Sequence, residues 1–344
     1  MARQRFMVVA ADRFSLHLAV QVVLAAAVLL GYGCQTASAH RVANEQQLAA
    51  AINGTAGVTV TITSDIVLTK ELPTIPHSIT IKGACGGRKC VIDGAGKYGI
   101  FRAYGSTPEC SVTIENLLLR NAADMPAYMG KCNLKLKGVE FKNNKAGGVV
   151  IGLGPATWHI HDCLFEGNSV SGVGGAFVVT SSGRGRLERT TFKSNRAEEN
   201  GGAVYIDAQP ANTVGYVLDH VTFDSNTAGK GGGGMYVGGT SQAVVTVFVS
   251  RCKFTKNVAT GGAGGGLALR SLMDARICHT SIADGGNKAN GGQGNDLALL
   301  DGNYNPQMTV SFCPAHPKSL SLHVTEVANP PTVRHHCEVC ELPK

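Results

Sequence analysis

A short repeated pattern constrains the fold of this chain more than any other feature of its sequence. Five segments come into register when a phenylalanine serves as the anchor of each: LKLKGVEFKNN, WHIHDCLFEGN, GRLERTTFKSN, YVLDHVTFDSN and VFVSRCKFTKN. Their anchors are Phe141, Phe165, Phe192, Phe223 and Phe254, and two looser copies add Leu119 and Ile282. Successive anchors lie 22 to 31 residues apart, the length of one coil of a solenoid.

Two further positions recur within each copy. An apolar residue stands five places before the anchor, at Ile114, Leu136, Ile160, Leu187, Leu218, Val249 and Ile277. An asparagine follows three places after it in the central copies, at Asn144, Asn168, Asn195, Asn226 and Asn257. Neighbouring parallel strands lie about 4.8 Å apart, so identical residues stack over one another. We therefore predict an interior phenylalanine stack and a hydrogen-bonded asparagine ladder, both structural.

Glycine pairs follow the asparagines and open the next strand, as in Gly174-Gly175, Gly201-Gly202, Gly233-Gly234 and Gly264-Gly265. They predict tight corners, because glycine adopts positive φ and allows close backbone approach. The 44 glycines have no three-residue period, which excludes collagen. The sequence thus predicts an all-β, right-handed parallel β-helix forming a single domain with a short cystine-rich C-terminal tail.

The predicted organisation has three parts. Residues 1–39 read as a signal peptide with basic residues, an apolar run and the small-residue ending Ala37-Ser38-Ala39, although retention of this segment as an anchor is the alternative. The β-helix is assigned to residues 40–312 and the tail to 313–344. We expect a secreted protein at the cell surface or wall, with no membrane span after cleavage. The formal charge of +7 is too modest and dispersed to predict a nucleic-acid partner.

Cysteine spacing predicts specific disulfides in an oxidising compartment. Cys110 and Cys132 occupy one position in consecutive copies, and Cys85 and Cys90 flank a short turn. Cys163 and Cys252 share a column but lie three coils apart, too far to pair with each other. Asn53-Gly54-Thr55 is a glycosylation sequon if the host is eukaryotic.

The FxxN and GGA[ILV] elements resemble the repeats of chlamydial polymorphic outer membrane proteins, within the pectin lyase-like β-helix superfamily. The opening segments ANEQQLAAAI, TVTITSDIVL, SITIKGACGGRKCVIDG and SVTIENLLLRNA are also similar to the first coils of that superfamily. The resemblance covers roughly residues 41 to 300 and implies surface display and adhesion. Those proteins end in a large anchoring barrel, and because this chain ends in HHCEVCELPK we do not expect such a barrel here.

Candidate chemistry falls on one outward column. The residue four places before the anchor is His161, Glu188 and Asp219 in three successive copies. Glu188 and Asp219 would lie about 5 Å apart, a separation that suits a retaining carboxylate pair or half a calcium site. The alternative is an exposed polar column without catalytic function, and calcium is the one cofactor that this column suggests. His335, His336, Cys337, Cys340 and Cys313 could bind zinc, but export favours disulfides instead.

These features favour a non-catalytic adhesion, recognition or matrix protein whose partner is an extracellular protein or polysaccharide. The alternative is a polysaccharide lyase or glycoside hydrolase that uses Glu188 and Asp219. No dense acidic cluster accompanies these two residues, and that favours the non-catalytic interpretation.

Overall fold

The computed structural model describes residues 39–105, 110–152, 154, 156–209, 214–239, 245–270, 274–300, 308–313, 317–325, 331–335 and 340. The predicted signal segment, apart from Ala39, lies outside these residues, as do residues 210–213 and 240–244 of two longer coils. The residues from Ala39 onward form one compact unit.

The described chain coils through three parallel β-sheets, and a short fourth sheet lies at one corner. Sheet 1 contains 12 strands: Ala39–Val42, Thr59–Ile62, Ile79–Gly83, Ser111–Glu115, Asn133–Lys137, Trp158–His161, Gly185–Glu188, Val214–Asp219, Val245–Ser250, Asp274–Cys278, Thr309–Cys313 and Thr332–Arg334. Sheet 2 contains Ile66–Val67, Cys90–Asp93, Leu117–Arg120, Glu140–Lys142, Leu164–Glu166, Thr191–Lys193, Thr222–Asp224 and Lys253–Thr255. Sheet 3 contains Phe101–Tyr104, Ala127–Gly130, Val149–Gly152, Phe177–Thr180, Val204–Ala208, Met235–Gly239, Leu267–Arg270, Leu297–Leu300 and Leu322–Val324. Sheet 4 contains Ser169–Val170, Arg196–Ala197, Thr227–Ala228, Val258–Ala259 and Lys288–Ala289.

The predicted columns are confirmed by the strand register. Phe141, Phe165, Phe192, Phe223 and Phe254 pair in succession and are fully buried. Their rings stack with centroids 4.6–5.2 Å apart. The apolar column from Ile114 to Ile277 pairs in the same way on sheet 1. Each of the five central coils therefore contributes one ring and one aliphatic side chain to a continuous core.

The asparagine ladder runs along the corner after sheet 2. Each Nδ2 donates to the Oδ1 of the next asparagine at 2.9–3.0 Å, from Asn144 onward. The same Nδ2 also donates to a backbone carbonyl of the preceding coil, as Asn195 does to Phe165. Two members of this chain of hydrogen bonds, Asn287 and Asp296, were not predicted. Asn287 continues the ladder, and its Nδ2 donates to Asp296 Oδ1 at 3.1 Å. Asp296 therefore accepts the last hydrogen bond of this buried amide chain.

Glycine corners lead from sheet 4 into sheet 3. Gly174, Gly201, Gly232 and Gly264 have φ between 64° and 74°, a conformation that other residues adopt at a cost. A Cβ on the following glycine, as at Gly202, would collide with a carbonyl oxygen of the next coil. In the third copy the corner pair is Gly232-Gly233, one residue earlier than the sequence pattern suggests.

The two ends of the coil are closed differently. Helix α1 (Glu45–Ile52) is capped by Asn44, whose side chain accepts a hydrogen bond from the backbone N–H of Gln47. The helix buries Leu48 and Ile52 against the first coil. At the other end, the coil continues beyond residue 312, the boundary predicted from sequence. Strands Leu322–Val324 and Thr332–Arg334 extend sheets 3 and 1. They lack the phenylalanine anchor, so the repeat pattern does not detect them.

The predicted disulfides Cys85–Cys90 and Cys110–Cys132 are confirmed. A third, Cys278–Cys340, ties the C-terminal segment to sheet 1, and Cys313 is also disulfide-bonded. Cys163 and Cys252 are free and buried, and burial raises the pKa of both thiols to about 12. The even cysteine count therefore does not produce complete pairing, because these two side chains occupy core positions in separate coils.

Replacing Phe192 with alanine should lower the free energy of unfolding by about 3–5 kcal/mol, because the ring lies between two others and its loss leaves a cavity. Denaturant unfolding checks this, with Lys193→Ala on the opposite face of the same strand as control. Equal stability of the two variants would contradict the interior stack.

Replacing Asn226 with alanine should cost at least about 2 kcal/mol, since it leaves buried groups of the neighbouring coils without partners. The Asn226 Oδ1 accepts two hydrogen bonds from Asn195, and its Nδ2 donates to Phe192 and Asn257. Asn290→Ala, at an exposed position, is the matched control. If both variants unfolded at the same denaturant concentration, the ladder would contribute nothing to stability.

Candidate functional site

The outward column His161, Glu188 and Asp219 forms on sheet 1 as the register predicts. In the strand register, His161 lies beside Glu188 and Glu188 lies beside Asp219, each on the adjacent parallel strand. The side chains are largely shielded, with exposed fractions of 12%, 15% and 11% respectively. The column is therefore a packed polar seam and not a freely solvated surface.

Each carboxylate of this seam is bound by basic side chains. The Glu188 Oε1 accepts a hydrogen bond from Arg186 Nε, and its Oε2 lies 2.9 Å from His159 Nε2. Asp219 contacts Arg251 NH2 at 2.7 Å and His220 Nδ1 at 3.2 Å. Glu188 and Asp219 are thus paired with separate arginines instead of acting together.

The corner between sheets 1 and 2 explains this arrangement. Its residues Asp162, Arg189, His220 and Arg251 have φ between 43° and 57°, the left-handed region. From there their side chains reach back along the outer face. Arg189 donates to Asp162 of the preceding coil at 2.7 Å, and Arg251 does the same to Asp219 at 2.9 Å. Consecutive coils are therefore cross-linked by ion pairs at this corner.

The electrostatics do not suit a general acid. Partial burial raises the pKa of Glu188, but the hydrogen bonds from His159 and Arg186 outweigh it and leave the pKa below its usual value. Burial likewise raises the pKa of Asp219, and Arg251 and His220 more than offset this. Arg189 and His161 hold the pKa of Asp162 well below its ordinary range. A glycosidase acid needs the opposite shift, toward a raised pKa.

Metal-ligating groups do not converge on this seam. Within the described ranges, the one set of three such side chains with ligand atoms close together is Cys278, Cys313 and Cys340. All three are disulfide-bonded, which agrees with the prediction that the C-terminal cysteines form disulfides and leaves these thiols unavailable as zinc ligands. His336 and Cys337 lie outside the described residues.

A groove of about 560 Å³ lies beside the seam on the outer face of sheet 1. Its charged lining residues are Arg184, Arg186, Arg276 and Asp274. Val217 and Phe248 contribute apolar surface, and Thr157 and Thr246 contribute hydroxyl groups. Arg184 is exposed and forms no ion pair within the part of the chain that the structure describes. Sequence reasoning missed this groove, because Arg186, Val217, Phe248 and Arg276 share one register position but differ in residue type from coil to coil.

The structure also brings together tyrosines that do not look periodic in the sequence. Tyr205 and Tyr236 occupy the same position on consecutive strands of sheet 3, with ring centroids 5.4 Å apart. They are 31 residues apart, the same step that separates Phe192 from Phe223. That matching step is the signal by which the pair could have been found.

A protein-family model described as "Right handed beta helix region" matches residues 77–244. The chain is a right-handed parallel β-helix. Its family match and its coiled parallel sheets fit the pectin lyase-like superfamily. No curated protein matches the chain.

Two surface expectations can be placed on this β-helix. Asn53 of the sequon is exposed at the end of helix α1, as glycosylation requires. Among the described residues, no α-helix is long and apolar enough to cross a membrane.

The seam predicts acid-sensitive stability. The pKa values of Asp162, Glu188 and Asp219 are lowered by folding, so the folded chain binds fewer protons than the unfolded chain. Their contribution to the free energy of unfolding is complete at pH values above about 4, the pKa of these carboxyl groups in the unfolded chain. It is lost as the pH falls through their lower pKa values in the folded chain. Asp219→Asn should flatten the fall in unfolding free energy between pH 5 and pH 3, unlike Glu71→Gln at an exposed position. An unchanged pH profile would contradict the paired seam.

Proposed function

We propose that this β-helix is an extracellular recognition protein that binds an acidic polysaccharide on the outer face of sheet 1 and does not cleave it. The proposal places it outside the cell, at the surface, wall or matrix. Its ligand would be a chain rich in carboxylate groups, such as a polyuronate.

The observation that carries the proposal is the basic groove. Three arginines and one aspartate line about 560 Å³ of space on a rigid sheet. Arg276 lies 3.3 Å from Asp274, and Arg186 is paired with Glu188. Arg184 is exposed and has no ion-pair partner among the described residues. Guanidinium groups bind carboxylates through two parallel hydrogen bonds, so a uronate suits this lining.

The state of the nearby carboxylates supports binding without cleavage. Glu188 and Asp219 are each bound by an arginine and a histidine, and both have lowered pKa values. Hydrolysis would need one of them protonated near neutral pH. Calcium binding would need them free of arginine partners. The network instead supplies a fixed polar border to the groove.

The repeat pattern supports surface display. Its FxxN and GGA[ILV] elements resemble those of chlamydial polymorphic outer membrane proteins, for which adhesion is the implied role. A rod of stacked coils would hold the arginine groove in a constant geometry for a long polymer. We propose adhesion to, or organisation of, an acidic extracellular polymer as the corresponding role.

The double variant Arg184→Ala, Arg276→Ala should weaken binding of a polygalacturonate oligomer at least about tenfold, because two charge-assisted contacts are lost. Calorimetric titration measures this, and the affinity of the unaltered protein should fall as salt is added. Arg102→Ala is the matched control, since that arginine pairs with Asp124 on another sheet.

Cleavage is assayed in the same samples, with and without calcium, by the appearance of new chain ends. The proposal expects none. Cleavage that disappears in Glu188→Ala, Asp219→Ala would establish the enzyme alternative, and the absence of polyuronate binding by the folded protein would end the recognition proposal.

A further inference from the structure

A cluster of three cysteine sulfur atoms lies near the C-terminal end of sheet 1. The Sγ atoms of Cys278, Cys313 and Cys340 all lie within 4.8 Å of one another. Cys278 is bonded to Cys340, and Cys313 is disulfide-bonded as well. Two disulfides therefore stand side by side, and a sulfur atom of one lies close to a sulfur atom of the other.

The cluster adjoins the sheet 1 groove at the last strand that lines it. Cys278 lies two residues after Arg276 on the strand Asp274–Cys278, so both side chains are on the outer face. Arg276 lies beside Phe248 of the adjacent strand, and both residues line the groove. A change in the bonding of Cys278 therefore takes place next to the groove.

Phe248 is covered although it lies on the outer face. Its neighbours Val247 and Val249 belong to the core, so the alternation of the strand directs Phe248 outward. It is nevertheless only 5% exposed. Phe248 packs in one small apolar cluster with Cys278, and Cys340 packs against this cluster. The bonded Cys340 thus helps to cover a residue of the groove.

Cys278 and Cys313 have a second pairing available, with each other. They occupy the same position on adjacent parallel strands. Cys110 and Cys132 also stand one coil apart, and they are bonded with their Cα atoms 4.7 Å apart. A disulfide between neighbouring coils is therefore within reach in this fold. In that arrangement Cys340 is not needed as a partner.

The three sulfur atoms differ in exposure. Cys278 is 0% and Cys313 is 3% exposed, whereas Cys340 is partly exposed. Thiol–disulfide exchange begins when a thiolate attacks a sulfur atom that it can reach. Cys340 is therefore the sulfur atom at which a reductant enters. A Cys278–Cys313 bond, by contrast, is shielded from attack once it has formed.

We propose that these three cysteines form a thiol–disulfide switch that releases Cys340 from its place beside the sheet 1 groove. A dithiol attacks the sulfur of Cys340 and forms a mixed disulfide, and Cys278 leaves as a thiolate. Cys278 then attacks the sulfur of Cys313, which forms the Cys278–Cys313 bond and expels the previous partner of Cys313 as a thiolate.

The second thiol of the dithiol completes the exchange by displacing Cys340 from the mixed disulfide. Its bond to the first thiol yields the oxidised dithiol, and the two protons of the dithiol pass to Cys340 and to the previous partner of Cys313. Two protein disulfides and one dithiol thereby give one protein disulfide, two protein thiols and one oxidised dithiol.

The switch regulates the groove, because loss of the Cys340 bond uncovers Phe248 beside Arg276. Additional apolar surface then becomes available to a ligand. This effect on ligand binding rests on the function proposed for sheet 1, whereas the exchange itself does not.

The exchange is tested by treating the disulfide-bonded protein with limiting dithiothreitol, alkylating free thiols with N-ethylmaleimide and mapping disulfides by mass spectrometry. We expect alkylated Cys340 together with a new peptide pair linked through Cys278 and Cys313. The buried Cys110–Cys132 bond should persist as the internal reference. In the matched variant Cys313→Ser the second step is lost, so Cys278 should be alkylated along with Cys340.

Hydroxyl-radical footprinting of the same samples measures the cover over Phe248. Its labelling should rise several-fold after the exchange, while Phe254, which is fully buried in the phenylalanine stack, stays unlabelled. The proposal is overturned if the unaltered protein shows alkylated Cys278 and Cys340 without a Cys278–Cys313 link, or if labelling of Phe248 does not change.

Calorimetric titration with a polygalacturonate oligomer, before and after the exchange, tests the regulatory effect. The affinity should rise after release of Cys340, and equal affinities in the two states would overturn the regulatory role. A protein that exchanges its disulfides but binds the oligomer in neither state would contradict the function proposed for sheet 1 and not the switch.

Discussion

In-register stacking of parallel coils is the constraint on which the rest of this structure depends. Each side chain has its counterpart of the next coil one strand spacing away, so a residue is stable only if it can pack against its own equivalent. Phenylalanine satisfies this condition by ring stacking. Asparagine satisfies it with one amide, because its Oδ1 accepts from the coil before while its Nδ2 donates to the coil after and to a backbone carbonyl. Both columns therefore fix the register of everything outside them.

The same rule shapes the outer surface. Equal charges repel at this spacing, and the stacked carboxylates of Glu188 and Asp219 are each neutralised by an arginine, Arg186 on the same strand and Arg251 at the corner. On sheet 1 this produces the Asp162–Arg189 and Asp219–Arg251 pairs between consecutive coils. The carboxylates that stand closest to a catalytic arrangement are thereby used in cross-links. What remains for recognition is the arginine-lined groove beside them.

Much of the interior could be predicted from the sequence, because interior contacts depend on position within the repeat. The phenylalanine stack, the asparagine ladder and the Cys110–Cys132 bridge all follow from equal spacing along the chain. Asn287 was missed because two additional residues separate it from its anchor, and the final strands were missed because they have no anchor. The column that contains Glu188 and Asp219 was predicted correctly. The ion pairs of these two carboxylates were not, since Arg251 reaches Asp219 from a corner position whose direction depends on positive φ, and Arg186 reaches Glu188 along the same strand. The sheet 1 groove was also beyond sequence reasoning, because it gathers residues from several coils at positions where no side chain repeats.

The central claim, recognition of an acidic polymer at the sheet 1 groove, is tested most directly by arginine footprinting. The protein is labelled with an arginine-specific dicarbonyl in the presence and absence of a polygalacturonate oligomer, and the labelled sites are quantified by mass spectrometry. We expect the oligomer to protect Arg184 and Arg276, which are exposed in the groove, and to leave Arg88 and Arg102 on other parts of the coil labelled as before. Bound oligomer with undiminished labelling of Arg184 and Arg276, or protection confined to the other arginines, would contradict the account.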